Sequence, residues 1–177
     1  MHHKPTTVIL FRGRPGVGKS NIAGAWARHK NLVVLSKDDI YDSAASYVTE
    51  HITRNRVSYD SLWAILKSNV GSGATILLDY PFQLEEEVLH LQQWCNRNGV
   101  RLISFLVVCS NREVWMNRFN RRKQNPAPNQ LITDLDELEQ HYGQLELKPV
   151  AGEVVLDSVK TTEQLLQQVT EVIKQTL

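Results

Sequence analysis

The stretch ILFRGRPGVGKSNIAGAWA, residues 9–27, decides the fold of this 177-residue chain. An apolar run at 8–11 predicts a buried strand, and Ile22 and Trp26 recur at helical spacing a little further on. Three glycines and a proline lie between the two. A plain turn is shorter than the connection at 13–20, so these glycines require another explanation.

The connection at 13–20 fits a phosphate-binding loop. Glycine can adopt positive φ, which lets successive backbone N–H groups point inward around a bound group. The helix that follows adds the positive end of its dipole, so the loop forms a pocket for a polyphosphate. The spacing Gly13-x-x-x-x-Gly18-Lys19-Ser20 is that of the Walker A motif. The residues predicted to bind the cofactor ATP are Gly13, Arg14, Pro15, Gly16, Val17, Gly18, Lys19 and Ser20.

Two residues of this loop have separate predicted roles. Lys19 is expected to reach the β- and γ-phosphates and to take part in catalysis, while the Ser20 hydroxyl is expected to bind Mg²⁺. The alternative is a glycine-rich turn that happens to precede Lys-Ser. We prefer the phosphate loop because strand, motif and helix follow one another in the required order.

Length and charge narrow the class of protein. The length suits a single α/β domain over 1–177, and no apolar run approaches the roughly 20 residues of a membrane helix. Lys and Arg number 20 against 19 Asp and Glu, which gives no overall attraction to nucleic acid or to an anionic membrane. The start, MHHKPTT, lacks a signal-peptide core, and Cys95 and Cys109 form no metal-binding cluster. We therefore expect a cytoplasmic protein with buried thiols, and we assign His2 and His3 no role.

Short apolar runs alternate with amphipathic segments along the chain. This alternation predicts a parallel five-stranded sheet with helices on both faces, a three-layer α/β fold. Thr161 and Gln164 suggest a capping box at the start of the last helix. The prolines of KQNPAPNQ, 123–130, interrupt a helix, and we predict a lid over 112–130. The apolar runs lie at 8–11, 32–35, 74–78, 102–108 and 154–156.

An acidic pair follows the second predicted strand in VVLSKDDIYDSA. Ligands of such sheets gather at the carboxyl ends of strands, so Asp38 is expected to face the same crevice as the phosphate loop. A carboxylate there can accept a proton from an attacking hydroxyl beside the γ-phosphate. The alternative is that Asp38 caps a helix that begins near Ile40.

The order of strand, phosphate loop, helix, strand and KDDIY resembles small P-loop kinases. That family includes polynucleotide 5′-hydroxyl kinases, zeta-toxin-type kinases, chloramphenicol phosphotransferase and gluconate kinase. The resemblance covers essentially the whole chain, and it implies a P-loop NTPase fold with Asp38 as catalytic base and Asp39 at a helix start. Polynucleotide kinases carry an Arg shortly after this pair to hold a substrate phosphate, whereas this chain has Tyr41 and Asp42.

A second acidic residue ends the strand in ATILLDYPF. Asp79 is similar to a Walker B carboxylate, which holds Mg²⁺ directly or through water. The alternative is a strand-end Asp that makes a turn. Tyr80, Pro81 and Phe82 follow at the crevice rim, where they either line an acceptor pocket or pack in the core.

The segment NREVWMNRFNRRKQNP carries a cluster of arginines. Arg118 and Arg122 are four residues apart on one helical face, and Arg121 is expected to point elsewhere. The resembling kinases use arginines of a lid helix to neutralise the transferring phosphoryl group and to stack on adenine, roles that suit a planar, permanently charged guanidinium. We predict catalytic roles for Arg118 and Arg122 and a nucleotide contact for Arg118. The alternative is a solvated face.

Together these features predict an ATP-dependent, Mg²⁺-requiring kinase that phosphorylates a hydroxyl of a small molecule. The segment 40–59 has no recognisable motif, so the acceptor's identity stays open. Tyr41 and Tyr47, with the small residues around them, suggest a partly apolar acceptor pocket. No Lys or Arg occurs between Asp38 and Ile52, which disfavours a nucleic-acid end.

Three alternatives belong to other classes. A polynucleotide or nucleotide kinase would share the phosphate loop and the base. An ATP-binding regulatory or toxin-like module without small-molecule phosphotransfer would need neither Asp38 nor the lid arginines. A GTPase is disfavoured because no guanine-recognition motif follows a late strand.

Overall fold

The computed structural model describes residues 4–176, so His2 and His3 lie outside the described part. Within 4–176 the chain forms a five-stranded sheet flanked by seven helices, none long and apolar enough to cross a membrane. The strands are β1 (Thr7–Arg12), β2 (Val34–Ser36), β3 (Thr75–Asp79), β4 (Arg101–Val108) and β5 (Val154–Asp157). The helices are α1 (Lys19–Lys30), α2 (Lys37–Ala44), α3 (His51–Ser68), α4 (Glu85–Arg97), α5 (Arg112–Lys123), α6 (Leu135–Tyr142) and α7 (Thr162–Thr176).

All neighbouring strands of the sheet are parallel, in the order β2-β3-β1-β4-β5. The central strand β1 is completely buried, and its side chains alternate between two cores. Ile9 and Phe11 pack with α1, α5 and α7 on one face, while Val8 and Leu10 pack with α3 and α4 on the other. This arrangement confirms the predicted three-layer fold, and burial on both faces explains why β1 is a continuous apolar run.

The second strand begins later than the sequence predicts. The apolar run at 32–35 predicted a strand there, but β2 covers Val34–Ser36. Asn31 ends α1 in the left-handed conformation with φ 55°, and the Leu32 N–H donates to the Ala27 carbonyl at 2.9 Å. The backbone of Leu32 therefore takes part in the end of α1 and not in the sheet. The next residue, Val33, is 84% exposed.

Helices α7 and α6 both begin with side-chain caps, of which the sequence predicted the first. The capping box of α7 is confirmed: the Thr161 N–H donates to Gln164 Oε1 at 3.0 Å, and the Gln164 N–H donates to Thr161 Oγ1 at 3.3 Å. Helix α6 was missed from the sequence. Its N-cap is Asp134, whose Oδ1 accepts from the Asp136 N–H at 2.9 Å, and Glu137 three residues after the cap was the available signal.

A buried ion pair joins the end of β1 to the chain before β5. Arg12 donates from Nε and Nη2 to the two carboxylate oxygens of Glu153, each at 2.6 Å, and both side chains are almost fully buried. The guanidinium also donates to the carbonyls of Phe82 at 3.1 Å and Lys148 at 2.9 Å. Ser104 completes the group by donating to Glu153 at 2.7 Å. Three separate segments are therefore fixed to the strand that leads into the phosphate loop.

We predict that Arg12→Met and Glu153→Gln each destabilise the fold by about 3–5 kcal/mol, because each leaves the other side chain buried without its partner. Urea unfolding followed by circular dichroism measures this difference. Arg12→Met combined with Glu153→Leu removes both charges and is expected to be more stable than either single variant. Single variants as stable as the unmodified protein would show that the pair does not hold these segments.

Candidate active site

The carboxyl ends of three strands meet at one edge of the sheet. Strand pairing sets Asp79 beside Phe11 on one side and beside Ser36 on the other. The phosphate loop follows β1, and Asp38 follows β2, so both lie at this edge with Asp79. A cleft of about 1000 Å³ opens there. Its walls come from the phosphate loop, α2, α3, the segment 81–87, the end of α5, the segment 129–132 and the end of α6.

The phosphate loop has the predicted conformation, and α5 packs directly against it. Gly13 and Gly16 have φ of 146° and 79°. A Cβ at Gly16 would lie 2.8 Å from the ring of Phe119, and Trp115 Nε1 donates to the Pro15 carbonyl at 2.9 Å. Only glycine therefore fits beneath α5 at this position. Six of the eight loop residues line the cleft, whereas Gly13 and Val17 are buried beneath it.

Lys19, Ser20 and Asp79 come together on the cleft wall, as the sequence predicts. Lys19 Nζ donates to the Arg14 carbonyl at 3.3 Å. Desolvation lowers the pKa of Lys19, and the charges of Asp79 and Asp38 oppose this shift. Desolvation raises the pKa of Asp79, which is 6% exposed, and Lys19 and the Ser20 hydroxyl oppose that shift.

A hydroxyl and a buried carboxylate are oxygen donors of the kind that Mg²⁺ prefers. Ser20 and Asp79 therefore fit a magnesium ion shared with nucleotide phosphates. Within residues 4–176, no group of three or more His, Cys, Asp or Glu side chains forms a metal centre of its own.

Asp38 lies in the first turn of α2 and lines the cleft. The helix begins at Lys37, before the expected Ile40, and its N-cap is Ser36, whose Oγ accepts from the Asp39 N–H at 3.3 Å. The helix-cap alternative for Asp38 is therefore wrong. The Asp38 carboxylate is 52% exposed and lies 4.0 Å from Lys37 Nζ, so it remains available to a bound molecule.

The two predicted arginines differ in their contacts. Arg118 Nη1 donates to the Val17 carbonyl and to Ser158 Oγ, both at 2.8 Å, and Nη2 donates to the Ser158 carbonyl at 2.9 Å. Arg122 lies within electrostatic range of Asp38 and Asp79, which oppose the lowering of its pKa by desolvation. Arg118 is thus attached to the phosphate loop, while Arg122 faces the carboxylates. Ser158 belongs to the turn after β5, and no sequence pattern predicts its role.

The expectation that Arg121 points away from the site is wrong. Arg121 lines the cleft together with Arg118 and Arg122. Because α5 ends at Lys123, its last turn stands at the rim, where the cleft extends around more than one helical face.

Arg14 connects the phosphate loop to two segments that follow much later in the chain. Its guanidinium donates to the side-chain oxygen of Gln83 and, at 2.8 Å, to the Gln144 carbonyl. It also lies 4.1 Å from the ring centroid of Tyr142, whose hydroxyl accepts from Gln83 Nε2 at 2.9 Å. The side chain of Arg14 therefore fixes the segment after β3 and the end of α6 to the loop.

One face of α3 forms a further wall of the cleft. His51, Asn55 and Tyr59 recur every four residues and all line the cleft. Tyr41 and Tyr47, the residues expected in this pocket, do not line it: Tyr41 is fully buried, and Tyr47 is 89% exposed on the outer surface. The three residues Tyr80, Pro81 and Phe82 have different positions. Both aromatic rings pack in the core, and of the three Pro81 lines the cleft.

The connection between α5 and α6, residues 124–134, passes over the cleft and is called the covering loop below. Its residues 129–132 line the cleft, and Asn129 Nδ2 donates to Asp42 Oδ2 of α2 at 2.7 Å. Trp115 and Phe119 are core residues, so the first half of the predicted lid is part of the packed body. The covering loop links the end of α5 to α2 through this hydrogen bond.

A protein-family model described as an AAA domain, AAA_33, matches residues 8–142, well over half of the chain. The chain belongs to this family. No curated protein matches it.

Several solved structures are similar to the chain along nearly its whole length. A protein from Chloroflexus aurantiacus, classed provisionally as a kinase, is 17% identical, with a TM-score of 0.75 and full coverage of both chains. The APS kinase of Mycobacterium tuberculosis, solved with AMPPNP and APS, is 14% identical, with a TM-score of 0.66 over 96% of this chain and 98% of that one. A gluconokinase from Sinorhizobium meliloti is 12% identical, with a TM-score of 0.59 over 99% and 95%. At these identities the similarity establishes the fold, which is that of small P-loop kinases.

We predict that Gly16→Ala lowers the affinity for Mg-ATP about tenfold or more, because the added methyl group would displace α5 or the loop itself. Calorimetric titration measures the affinity. Gly99→Ala is the matched control: Gly99 also has positive φ, at 64°, but a Cβ there meets no atom within 4 Å. Equal ATP affinity in both variants would show that the close packing at Gly16 does not shape the site.

Proposed function

We propose that this protein is an ATP-dependent, Mg²⁺-requiring kinase that transfers the γ-phosphate to a hydroxyl of a small molecule. The observation that carries this proposal is the position of Asp38. An accessible carboxylate lies at the cleft within electrostatic range of Lys19 and Arg122, and the cleft continues past it along α3. A module that only binds nucleotide has no need of this carboxylate, nor of a further pocket.

The proposed chemistry is an in-line displacement. The acceptor hydroxyl gives its proton to the Asp38 carboxylate while its oxygen attacks the γ-phosphorus, and the bond between that phosphorus and the oxygen bridging it to the β-phosphate breaks to release ADP. Lys19 and Arg122 stabilise the negative charge on the transferring group. Arg118 acts on the loop through the Val17 carbonyl. Ser20 and Asp79 would hold Mg²⁺, which neutralises phosphate charge when bound.

A small acceptor is favoured by the enclosure of the cleft. The covering loop is hydrogen-bonded through Asn129 to Asp42 of α2, the helix that carries Asp38, so the loop and α2 form one connected wall of the cleft. The net charge of +1 offers little attraction to a nucleic acid. The APS kinase and the gluconokinase reported above carry small acceptors in their names. The free thiols Cys95 and Cys109 agree with the proposed cytoplasmic location.

The function is tested by offering labelled ATP with sugars, polyols, nucleosides and antibiotics, and separately with a 5′-hydroxyl oligonucleotide. We expect one small hydroxyl compound to be labelled, and Asp38→Asn to reduce its turnover by roughly 10²-fold or more with ATP affinity changed only a few-fold. Asp39→Asn is the matched control, since Asp39 does not line the cleft. Salt-sensitive labelling of the oligonucleotide alone would contradict the proposal, as would full activity of Asp38→Asn.

The contacts of the two arginines predict different kinetic defects. Arg122→Ala is expected to lower kcat by about 10³-fold with little change in the KM for ATP, because its charge acts on the transferring group. Arg118→Ala is expected mainly to raise the KM for ATP, because it frees the Val17 carbonyl and Ser158. Arg97→Ala, on α4 outside the cleft, serves as control. The same defect in both variants would refute this division of roles.

A further inference from the structure

We propose that His51 selects the acceptor as a neutral imidazole whose Nε2–H donates to an oxygen atom of that molecule, and that an ammonium group is rejected at this position. The inference rests on the proposed function, because it concerns the acceptor end of the same cleft. It names a chemical class: a hydroxyl compound that carries a second oxygen acceptor, as a hydroxyl, carbonyl, carboxylate or phosphate.

The position of His51 is fixed by a buried partner. His51 is the first residue of α3 and lines the cleft. Its Nδ1 lies 2.5 Å from the hydroxyl oxygen of Tyr41, a fully buried residue of α2. The two rings meet edge to face with their centroids 5.5 Å apart. The imidazole is therefore held by one nitrogen against the protein, which leaves Nε2 for a ligand.

We assign the proton in this hydrogen bond to the tyrosine. A phenolic hydroxyl is a hydrogen-bond donor, and when it is buried it needs an acceptor. Among the described residues, His51 Nδ1 is the one hydrogen-bond partner of that hydroxyl. Donation from Tyr41 to Nδ1 places the imidazole proton on Nε2.

Neighbouring charges keep the ring neutral. Lys37 Nζ and the guanidinium of Arg54 each lie 4.5 Å from the ring centroid of Tyr41. Burial lowers the pKa of His51, and the positive charges of Lys37 and Arg54 lower it further. His51 is therefore uncharged at neutral pH and gains its proton only below the ordinary value of about 6.5.

This chemistry determines what fits beside α3. A neutral imidazole with Nε2–H offers only a donor, so an oxygen acceptor is stabilised beside it, whereas an ammonium, which has no lone pair, finds no hydrogen-bond partner there. Asn55 and Tyr59 continue the same face by one and two turns. At 1.5 Å per residue this row spans about 12 Å.

The first test measures the proton directly by ¹⁵N NMR of the imidazole in the full chain with Mg²⁺ and AMPPNP. We expect the Nε2–H tautomer at neutral pH and a pKa below the ordinary value. Tyr41→Phe should remove the fixed tautomer, and Arg54→Gln, outside the cleft, should raise the pKa while leaving the tautomer unchanged. An Nδ1–H tautomer or an imidazolium at neutral pH would overturn the proposal.

The second test follows the His51 signals during titration with glucose, gluconate and glucosamine, which share a skeleton and differ in charge, and with ribose and uridine. We expect at least one of glucose, gluconate, ribose and uridine to shift the Nε2–H signal. We expect glucosamine to have no effect. A shift by glucosamine alone, or by none of the five, would overturn the proposal.

The third test uses ADP release with whichever compound is phosphorylated. His51→Leu should raise its KM about tenfold or more, the KM for ATP should not change, and His51→Gln, which keeps an N–H donor, should raise it less. Equal effects of Leu and Gln would assign His51 a packing role instead. If the NMR results hold and none of the compounds is phosphorylated, the proposed function fails while the donor at His51 stands.

Discussion

A backbone loop that wraps a polyphosphate carries its own N–H groups toward the ligand, so its carbonyl groups must find donors elsewhere. In this protein two of those donors come from α5, about a hundred residues further along the chain, and the third comes from the loop itself. Trp115 donates to the Pro15 carbonyl, Arg118 to the Val17 carbonyl, and Lys19 to the Arg14 carbonyl. The requirement for these donors places α5 against the loop, and with it the arginines of the last helical turns.

The same edge of the sheet concentrates charge in a partly dry environment. The charges of Asp38 and Asp79 act on the pKa values of Lys19 and Arg122, and the charge of Lys19 acts on the pKa of Asp79. Desolvation disfavours every one of the shifted charges, and the opposite charges offset part of this cost. A negatively charged nucleotide would relieve the excess of positive groups at the loop. The site is therefore electrostatically prepared for phosphate and less stable without it.

The residues that the sequence located correctly are those fixed by local pattern or by the topology of a parallel sheet. The Walker A spacing identifies its loop, and strand ends of a parallel sheet must share one edge, which brought Asp38 and Asp79 to it. Residues whose roles depend on tertiary packing were missed or misplaced. Arg121, Tyr41 and Ser158 are examples. Helical geometry alone did not show how far the cleft extends around α5. It also did not show that the Tyr41 hydroxyl is hydrogen-bonded to His51, or that a serine after β5 is hydrogen-bonded to Arg118.

The hydrogen bond from Asn129 to Asp42 also affects the thermodynamics of access to the cleft. A hydrogen bond to a charged group contributes roughly 1.5–3 kcal/mol. This hydrogen bond therefore favours molecules in which the covering loop contacts α2 over molecules in which it does not, by about ten- to a hundredfold. For the proposed phosphoryl transfer, such a factor would be large enough to limit the access of water and small enough for an acceptor of modest affinity to enter and for its product to leave.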